Sequence, residues 1–147
     1  MLSRKNFLMT LLRFVQVRRR LNRVKPSSIL VVDAHKDCRE SLALALELAG
    51  CDVQAVASGH EALRRVRDWT PDAFVLDSHV GEMSALHVAR VLRANTRFDQ
   101  MRLVMTCTWH RPELIAQARA AGVDALWMKP FEFADLLQVV RGEVRQR

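Results

Sequence analysis

Short apolar runs alternate along this chain with stretches in which apolar residues recur every three or four positions. A continuous apolar run of four or so residues is typical of a strand that is buried on both faces of a parallel sheet. Such runs occupy residues 29–32, 53–56, 73–76, 103–105 and 125–128. The spacing of three and four predicts helices over residues 38–49, 61–68, 83–93, 112–121 and 133–144. This spacing places Cys38 on the apolar face of the first helix.

Five successive strand–helix units predict a doubly wound α/β domain, with a five-stranded parallel sheet and helices on both faces. In such a fold the ligand site lies beyond the carboxyl ends of the strands. Four polar residues follow predicted strands directly, namely Asp33, Asp77, Thr106 and Lys129. We therefore expect these four side chains to converge at one edge of the sheet.

Two carboxylates, a hydroxyl and an ammonium group in one place suit phosphoryl chemistry. The two acids repel each other, and Lys129 or a Mg²⁺ ion bound by hard oxygen ligands relieves that repulsion. A carboxylate in such a site can act as a nucleophile toward phosphorus and form an acyl phosphate. Thr106 and Lys129 are placed to bind the oxygens of the new phosphoryl group.

Residues 1–26 differ in charge from the rest of the chain. They hold eight basic residues and no acidic one, whereas residues 27–147 hold 15 basic and 16 acidic residues. The positive net charge of +7 therefore comes from the N-terminal part. Pro26 and the two serines after it mark a boundary between a basic extension, residues 1–26, and a domain over residues 27–147.

Residues 5–17 are predicted to form an additional N-terminal amphipathic helix. One half of its surface carries apolar residues, namely Phe7, Leu8, Leu11, Leu12, Phe14 and Val15. Through residues 4–23 this basic segment suits an anionic membrane surface, a partner helix or a second copy in a homodimer. A targeting segment and an extension without a role are the other interpretations, and no stretch is long and apolar enough to span a bilayer.

The composition excludes several classes of protein. With 50% apolar and 27% charged residues, the chain is neither disordered nor a multi-span membrane protein. Its three cysteines lack CxxC spacing, which argues against a disulfide framework or a zinc motif and favours a reducing compartment. The chain has no GxGxxG, Gly-rich phosphate loop or GxSxG motif, so we expect a binding or signalling domain and not an enzyme.

The strand-end segments resemble those of response-regulator receiver domains, the chemotaxis-regulator-like domains of two-component signalling. The resemblance rests on residues 29–33 (ILVVD), 74–77 (FVLD), 104–106 (VMT) and 127–131 (WMKPF). It implies a flavodoxin-like strand order of 2-1-3-4-5. It also implies that Asp77 is the phosphoacceptor, Thr106 the switch hydroxyl and Lys129 the phosphate-pairing lysine. Asp33, Asp77 and the backbone carbonyl of His79 are implied as ligands of Mg²⁺.

The chain departs from the pattern of that family at several positions. Ala34 stands where the family usually has a second acid, so we expect weakened Mg²⁺ binding. Gly81 replaces a usual proline, and Ser84-Ala85 replaces a usual Asp-Gly pair. Leu126 replaces the aromatic residue on the fifth strand that would report the state of Thr106.

Two functions remain open at this point. The first is a single-domain response regulator that receives a phosphoryl group on Asp77 from a histidine kinase or phosphotransfer protein. The second is a pseudo-receiver that binds proteins without phosphorylation. In both, output is expected through protein contacts with an unknown partner and without nucleic acid, in the cytoplasm or at the inner surface of a membrane.

Two loop features add further hypotheses. His35, His79, His110 and Cys107 all follow predicted strand ends, so they are alternative ligands for a transition metal. Trp109 lies in the loop after the fourth strand, where it either anchors a partner or folds back onto the core.

Overall fold

The computed structural model describes residues 27–109 and 111–143. The predicted helix over residues 5–17 and His110 lie outside the described residues, so the predictions about them remain predictions. The strands are β1 (Ser28–Val32), β2 (Asp52–Val56), β3 (Ala73–Asp77), β4 (Arg102–Cys107) and β5 (Ala125–Met128). The helices are α1 (Lys36–Leu48), α2 (Gly59–Arg65), α3 (Ala85–Arg93), α4 (Pro112–Ala120) and α5 (Phe133–Val140). A short 3₁₀ helix, Thr96–Phe98, lies between α3 and β4.

The five strands form one parallel sheet in the order β2-β1-β3-β4-β5. This order confirms the doubly wound α/β fold and the flavodoxin-like order 2-1-3-4-5. Because the strands are parallel, their carboxyl ends all lie at one edge of the sheet. At that edge the register places Asp77 of β3 opposite Thr106 of β4.

The sheet has an apolar layer on each face. Successive residues of β1 alternate between the layers, with Leu30 and Val32 in one and Ile29 and Val31 in the other. The first layer is completed by buried residues of α2, α3 and α4, and the second by those of α1 and α5. Burial on both faces explains why each central strand contains a continuous apolar run.

Several predicted boundaries were wrong by two to four residues, and α5 ends at Val140 and not at residue 144. Helix α2 begins at Gly59 and not at residue 61, because the Ser58 hydroxyl accepts a hydrogen bond from the Glu61 N–H and caps the helix. Helix α3 begins at Ala85 and not at residue 83. Strand β4 extends beyond the predicted 103–105, since Thr106 and Cys107 pair with β5.

The placement of Cys38 on the buried face of the first helix was also wrong. Cys38 is exposed, whereas Ala45 and Leu46 of the same helix are buried. Cys38 lies in the first turn of α1, where it lines the cavity beside Asp33 and Asp77. Among the described helices, none is long and apolar enough to cross a membrane.

Candidate functional site

The four strand-end residues predicted from the sequence do converge. Asp33 follows β1, Asp77 ends β3, Thr106 lies near the end of β4 and Lys129 follows β5. Asp33, Asp77 and Thr106 are buried, with 6%, 6% and 2% of their surface exposed. Buried carboxylates need hydrogen-bond partners or a paired cation, so the contacts of these acids decide the character of the site.

Lys129 pairs with both acids. Its Nζ lies 2.9 Å from Asp33 Oδ2 and 2.8 Å from Asp77 Oδ1. The main chain of Lys129 is fixed as well, because its N–H donates to the Cys107 carbonyl over 2.8 Å. One ammonium group thus bridges the two carboxylates and offsets their mutual repulsion.

The other carboxylate oxygens accept hydrogen bonds from the main chain. The His35 N–H donates to Asp33 Oδ1 over 2.8 Å, and the His79 N–H donates to Asp77 Oδ2 over 2.9 Å. In both cases an aspartate at a strand end accepts from the residue two positions further on, as in an Asx turn. The Thr106 hydroxyl donates to Asp77 Oδ1 over 3.1 Å. All four carboxylate oxygens therefore accept at least one hydrogen bond.

The site perturbs two titrating groups. Burial alone lowers the pKa of Lys129, but hydrogen bonds and charges from Asp77 and Asp33 outweigh burial and raise the pKa above its ordinary value. Burial raises the pKa of the Cys107 thiol, the Asp77 charge raises it further, and Lys129 opposes this only in part. At neutral pH the site therefore contains an ammonium group on Lys129 and a protonated thiol on Cys107.

A cavity of about 250 Å³ opens beside the four residues. Its apolar wall comes from α1 and the β5–α5 loop and includes Leu42, Ala45 and Phe131. A larger groove of about 860 Å³ lies between α2 and α3, but none of the four site residues lines it. The smaller cavity is the one that gives access to Asp77, and it is much larger than the volume of roughly 30 Å³ that one water occupies in the liquid.

The oxygens of the site fit Mg²⁺ better than a transition metal. Mg²⁺ is commonly held by one or two carboxylates together with waters, and Asp33 and Asp77 supply such a pair. Across residues 27–109 and 111–143, no three or more His, Cys, Asp or Glu side chains group closely enough to hold a metal. The rings of His35 and His79 contact neighbours in sequence, the Cys38 N–H and the Ser78 hydroxyl. Within the described residues the structure therefore gives no support to the predicted histidine-rich metal site, of which His110 lies outside that part of the chain.

Sequence reasoning missed the main-chain donors of the site. Neither the N–H groups of His35 and His79 nor Arg39, which donates to the Asp33 carbonyl over 2.8 Å, were predicted. The sequence did offer one signal for the two N–H groups: an aspartate at a strand end, followed by a loop, often accepts a hydrogen bond from the N–H two residues further on.

The structure also shows the surroundings of Leu126, which departs from the family pattern, and of two tryptophans at the same end of the chain, Trp109 and Trp127. Trp109 is 71% exposed, which favours the partner-anchor hypothesis over a residue folded onto the core. Leu126 packs, partly buried, against the layer of α2, α3 and α4. Trp127 contacts Phe131 edge to face, with ring centroids 5.7 Å apart.

A parallel five-stranded α/β domain with paired aspartates, a hydroxyl and a lysine at the carboxyl edge defines a receiver-type signalling domain. The chain belongs to the response regulator receiver domain family, whose sequence profile matches residues 29–141. Domains of this family are parts of two-component systems and are not classical enzymes. They generally bind Mg²⁺ at the acidic pocket and interact with histidine kinases and output domains.

The chain is similar to several curated response regulators. Response regulator MprA of Mycolicibacterium vanbaalenii is 37% identical over 121 residues, which are 82% of this chain and 52% of MprA. DNA-binding response regulator MtrA of Mycolicibacterium smegmatis is 32% identical over 118 residues, which are 80% of this chain and 50% of MtrA. The chain thus spans about half the length of the curated relatives it matches.

Solved structures show the same fold. Chemotaxis protein CheY4 of Vibrio cholerae superposes with a TM-score of 0.75 at 23% identity, covering 82% of this chain and all of CheY4 (100%). A CheY-like receiver domain protein from Methanospirillum hungatei gives a TM-score of 0.73 at 24% identity, covering 81% of this chain and 94% of that protein.

Proposed function

We propose that Asp77 accepts a phosphoryl group from a phosphohistidine of a histidine kinase or phosphotransfer protein. The observation that supports this most strongly is the convergence of Asp33, Asp77, Thr106 and Lys129 at the mouth of one cavity. The resulting domain signals through protein contacts and is not an enzyme with a substrate of its own.

The chemistry follows from the contacts of Asp77. A carboxylate oxygen of Asp77 forms a bond to phosphorus while the phosphorus–nitrogen bond of the donor breaks. The electron pair of that bond returns to the imidazole nitrogen, and the donor leaves as a neutral ring that is protonated on its other nitrogen. The product is an acyl phosphate, whose oxygens Lys129 and the Thr106 hydroxyl can bind with a short movement.

Asp33, Asp77 and the backbone carbonyl of His79 are the proposed ligands of Mg²⁺. The ion would supply positive charge that offsets the negative charge of the phosphoryl group. Two acids, Asp33 and Asp77, against one base, Lys129, give the site a formal charge of −1. A second acid at position 34 would make this charge more negative and attract the cation more strongly, so Ala34 is expected to weaken Mg²⁺ binding.

Output is proposed to pass through a protein partner. Residues 27–143 hold 13 basic and 16 acidic residues, so the described part of the chain has no excess of positive charge to hold phosphate backbones. Trp109 is exposed in the loop that follows Thr106 and Cys107. An exposed tryptophan two residues after the strand that carries Thr106 is well placed to anchor a partner that distinguishes the two states of Asp77.

The second candidate is a pseudo-receiver that binds proteins without phosphorylation. The contacts of the site are compatible with it, because Lys129, the Thr106 hydroxyl and two main-chain N–H groups together give each of the four carboxylate oxygens a hydrogen bond or an ion pair. The absence of an acid at Ala34 and of an aromatic residue at Leu126 points in the same direction.

Intact-mass spectrometry separates the two candidates. The protein is incubated with acetyl phosphate and Mg²⁺, beside Asp77→Asn and a control, Asp99→Asn, which changes an exposed acid outside the site. A mass increment of one phosphoryl group in the wild type and in Asp99→Asn, and none in Asp77→Asn, supports the phosphoacceptor. No increment in folded wild-type protein, under any of several Mg²⁺ concentrations, rejects it in favour of the pseudo-receiver.

A further inference from the structure

The outer face of α1 carries two exposed leucines. Leu44 is 52% exposed and Leu48 is 43% exposed, and their spacing of four residues places them side by side on the helix. We call this pair the α1 leucine face. Large apolar side chains gain free energy when another apolar surface covers them, so a neighbouring pair of this kind suits a partner.

The chain enters the domain next to this face. The Ser27 carbonyl accepts a hydrogen bond from the Asp52 N–H over 2.9 Å, and Ser28 pairs with Asp52 in the sheet. The Cys51 N–H in turn donates to the Leu46 carbonyl of α1 over 3.0 Å. Residues 1–26 are therefore attached to the domain beside the C-terminal end of α1, where Leu48 lies.

Charge makes the N-terminal segment a suitable occupant. Residues 36–52, which include α1 and the first residue of β2, hold four acidic and two basic residues. The last turn of α1 contains no basic residue, and Arg141, the residue after α5, donates to the Ala49 carbonyl just beyond that turn. Glu47 and Asp52 stand near Leu48 in sequence, so a segment with eight basic residues and no acid complements this end of the helix.

The length of the N-terminal segment also matches the length of α1. Helix α1 has 13 residues and is therefore about 20 Å long, and residues 5–17 would make a helix of about the same length. The nine residues 18–26 reach up to about 30 Å when extended. This reach is enough to bring residues 5–17 back along the whole of α1.

We propose that residues 5–17 dock as a helix on the α1 leucine face of the same chain. The apolar side chains of Leu8, Leu11 and Leu12 cover Leu44 and Leu48, and the basic residues that follow lie near Glu47 and Asp52. The domain thus provides a surface for its own N-terminal segment, in addition to the phosphoacceptor site.

Hydrogen exchange of the full chain, followed by mass spectrometry at low micromolar concentration, tests this docking. We expect amides of residues 5–17 to exchange at least tenfold more slowly than an unstructured segment. The double variant Leu44→Lys, Leu48→Lys should abolish most of this protection while the amides of β3 keep theirs. Lysine is a good helix former, so α1 is expected to fold in this variant.

Two matched variants complete the test. Val91→Lys changes an exposed apolar residue of α3, on the opposite face of the sheet, and should leave the protection intact. Leu8→Lys, Leu12→Lys changes the segment itself, leaves the domain untouched and should abolish the protection.

Four results would overturn the proposal. The first two are exchange of residues 5–17 in the wild type as fast as in an unstructured segment, and protection in the Leu44→Lys, Leu48→Lys variant equal to that in the wild type. The third is protection that requires the addition of anionic vesicles. The fourth is protection seen only at concentrations where light scattering shows a dimer. The last two results would instead assign the segment to a membrane or to a second copy.

Discussion

Lys129 controls the electrostatics of the site at the scale of single residues. Its ammonium group is the cation that bridges Asp33 and Asp77, and 27% of its side chain is exposed, against 9% and 8% for the two acids. Because its pKa is raised in the folded state, the folded protein holds this proton more firmly than the unfolded chain does. The stabilisation is therefore fully present below a pH of about 10.4, the pKa of lysine in an unfolded chain, and is lost as the pH rises through the folded-state pKa.

Replacing Lys129 by methionine should destabilise the protein. Two buried carboxylates then lose their shared cation, and we expect the free energy of unfolding at pH 7 to fall by about 1–3 kcal/mol, less than for a fully buried pair because Lys129 is partly solvated. Urea denaturation measures this difference, which should shrink above pH 10.4 as the pH rises through the raised pKa of the wild-type lysine.

Lys36 provides the matched control for this variant. It forms an exposed pair with Glu40 over 3.9 Å, and Lys36→Met should change the free energy of unfolding by no more than about 0.5 kcal/mol. A Lys129→Met protein as stable as the Lys36→Met protein at pH 7 would show that the bridge contributes nothing.

Position 34 offers a test of the metal site. Ala34→Asp adds a carboxylate beside Asp33 and should raise Mg²⁺ affinity by about tenfold, since affinity for hard cations follows ligand charge and number. Isothermal titration calorimetry measures the affinity, with Asp33→Asn as a variant expected to lower it. Equal affinity in the wild type and both variants would place the Mg²⁺ site elsewhere.

The four polar side chains of the site could be predicted from the sequence because each follows an apolar strand. The N–H groups of His35 and His79 could not be predicted as partners, since every residue but proline has such a group and only the loop geometry aims it. The bridging position of Lys129 depends on the distance between strands β3 and β5, which no local pattern contains.

At the scale of elements, helix caps decide where the helices begin. The Ser58 hydroxyl accepts from the Glu61 N–H over 3.2 Å, and the Glu61 carboxylate accepts from the Ala57 N–H over 3.0 Å. The first bond satisfies a donor in the first turn of α2 that the helix itself leaves unpaired, and the second ties the Glu61 side chain to the residue before the cap. Hydrophobic spacing does not record such bonds, which is why it predicted a start at residue 61.

Removing the side-chain cap of α2 should destabilise the protein more than the same substitution does at a matched serine that forms no cap. Ser58→Ala is expected to lower the free energy of unfolding by about 1 kcal/mol. Ser84 occupies the same position before α3, but its side chain makes no capping hydrogen bond, so Ser84→Ala should cost clearly less. Thermal or urea denaturation of the two variants compares them, and equal losses would contradict the role given to the Ser58 hydroxyl.

The strands could be predicted more closely than the helices. The bounds of β5 agree with the apolar run 125–128, because that strand ends where Lys129 begins the site. Strand β4 continues past its apolar run, since Thr106 and Cys107 pair with Trp127 and Met128. A polar residue such as Thr106 can belong to a strand whenever its neighbours supply the hydrogen bonds, and the sequence alone does not show those neighbours.

At the scale of the whole molecule, the order of the strands brings the chemistry together. β1 and β3 are adjacent in the sheet, so Asp33 and Asp77 lie side by side although 44 positions separate them in the chain. β4 and β5 follow on the same side and contribute Thr106 and Lys129. The number of strand–helix units predicted the fold class, and the strand order came from the resemblance to receiver domains.

The measurement that tests the central claim most directly is the location of the phosphoryl group. The protein is treated with acetyl phosphate and Mg²⁺ and then with sodium borohydride, which releases phosphate from an aspartyl phosphate and reduces that aspartate to homoserine. Peptide sequencing by mass spectrometry then identifies the reduced residue. We predict homoserine at position 77 alone; homoserine at position 33, or at no position in a folded protein, would contradict the assignment of Asp77 as the phosphoacceptor.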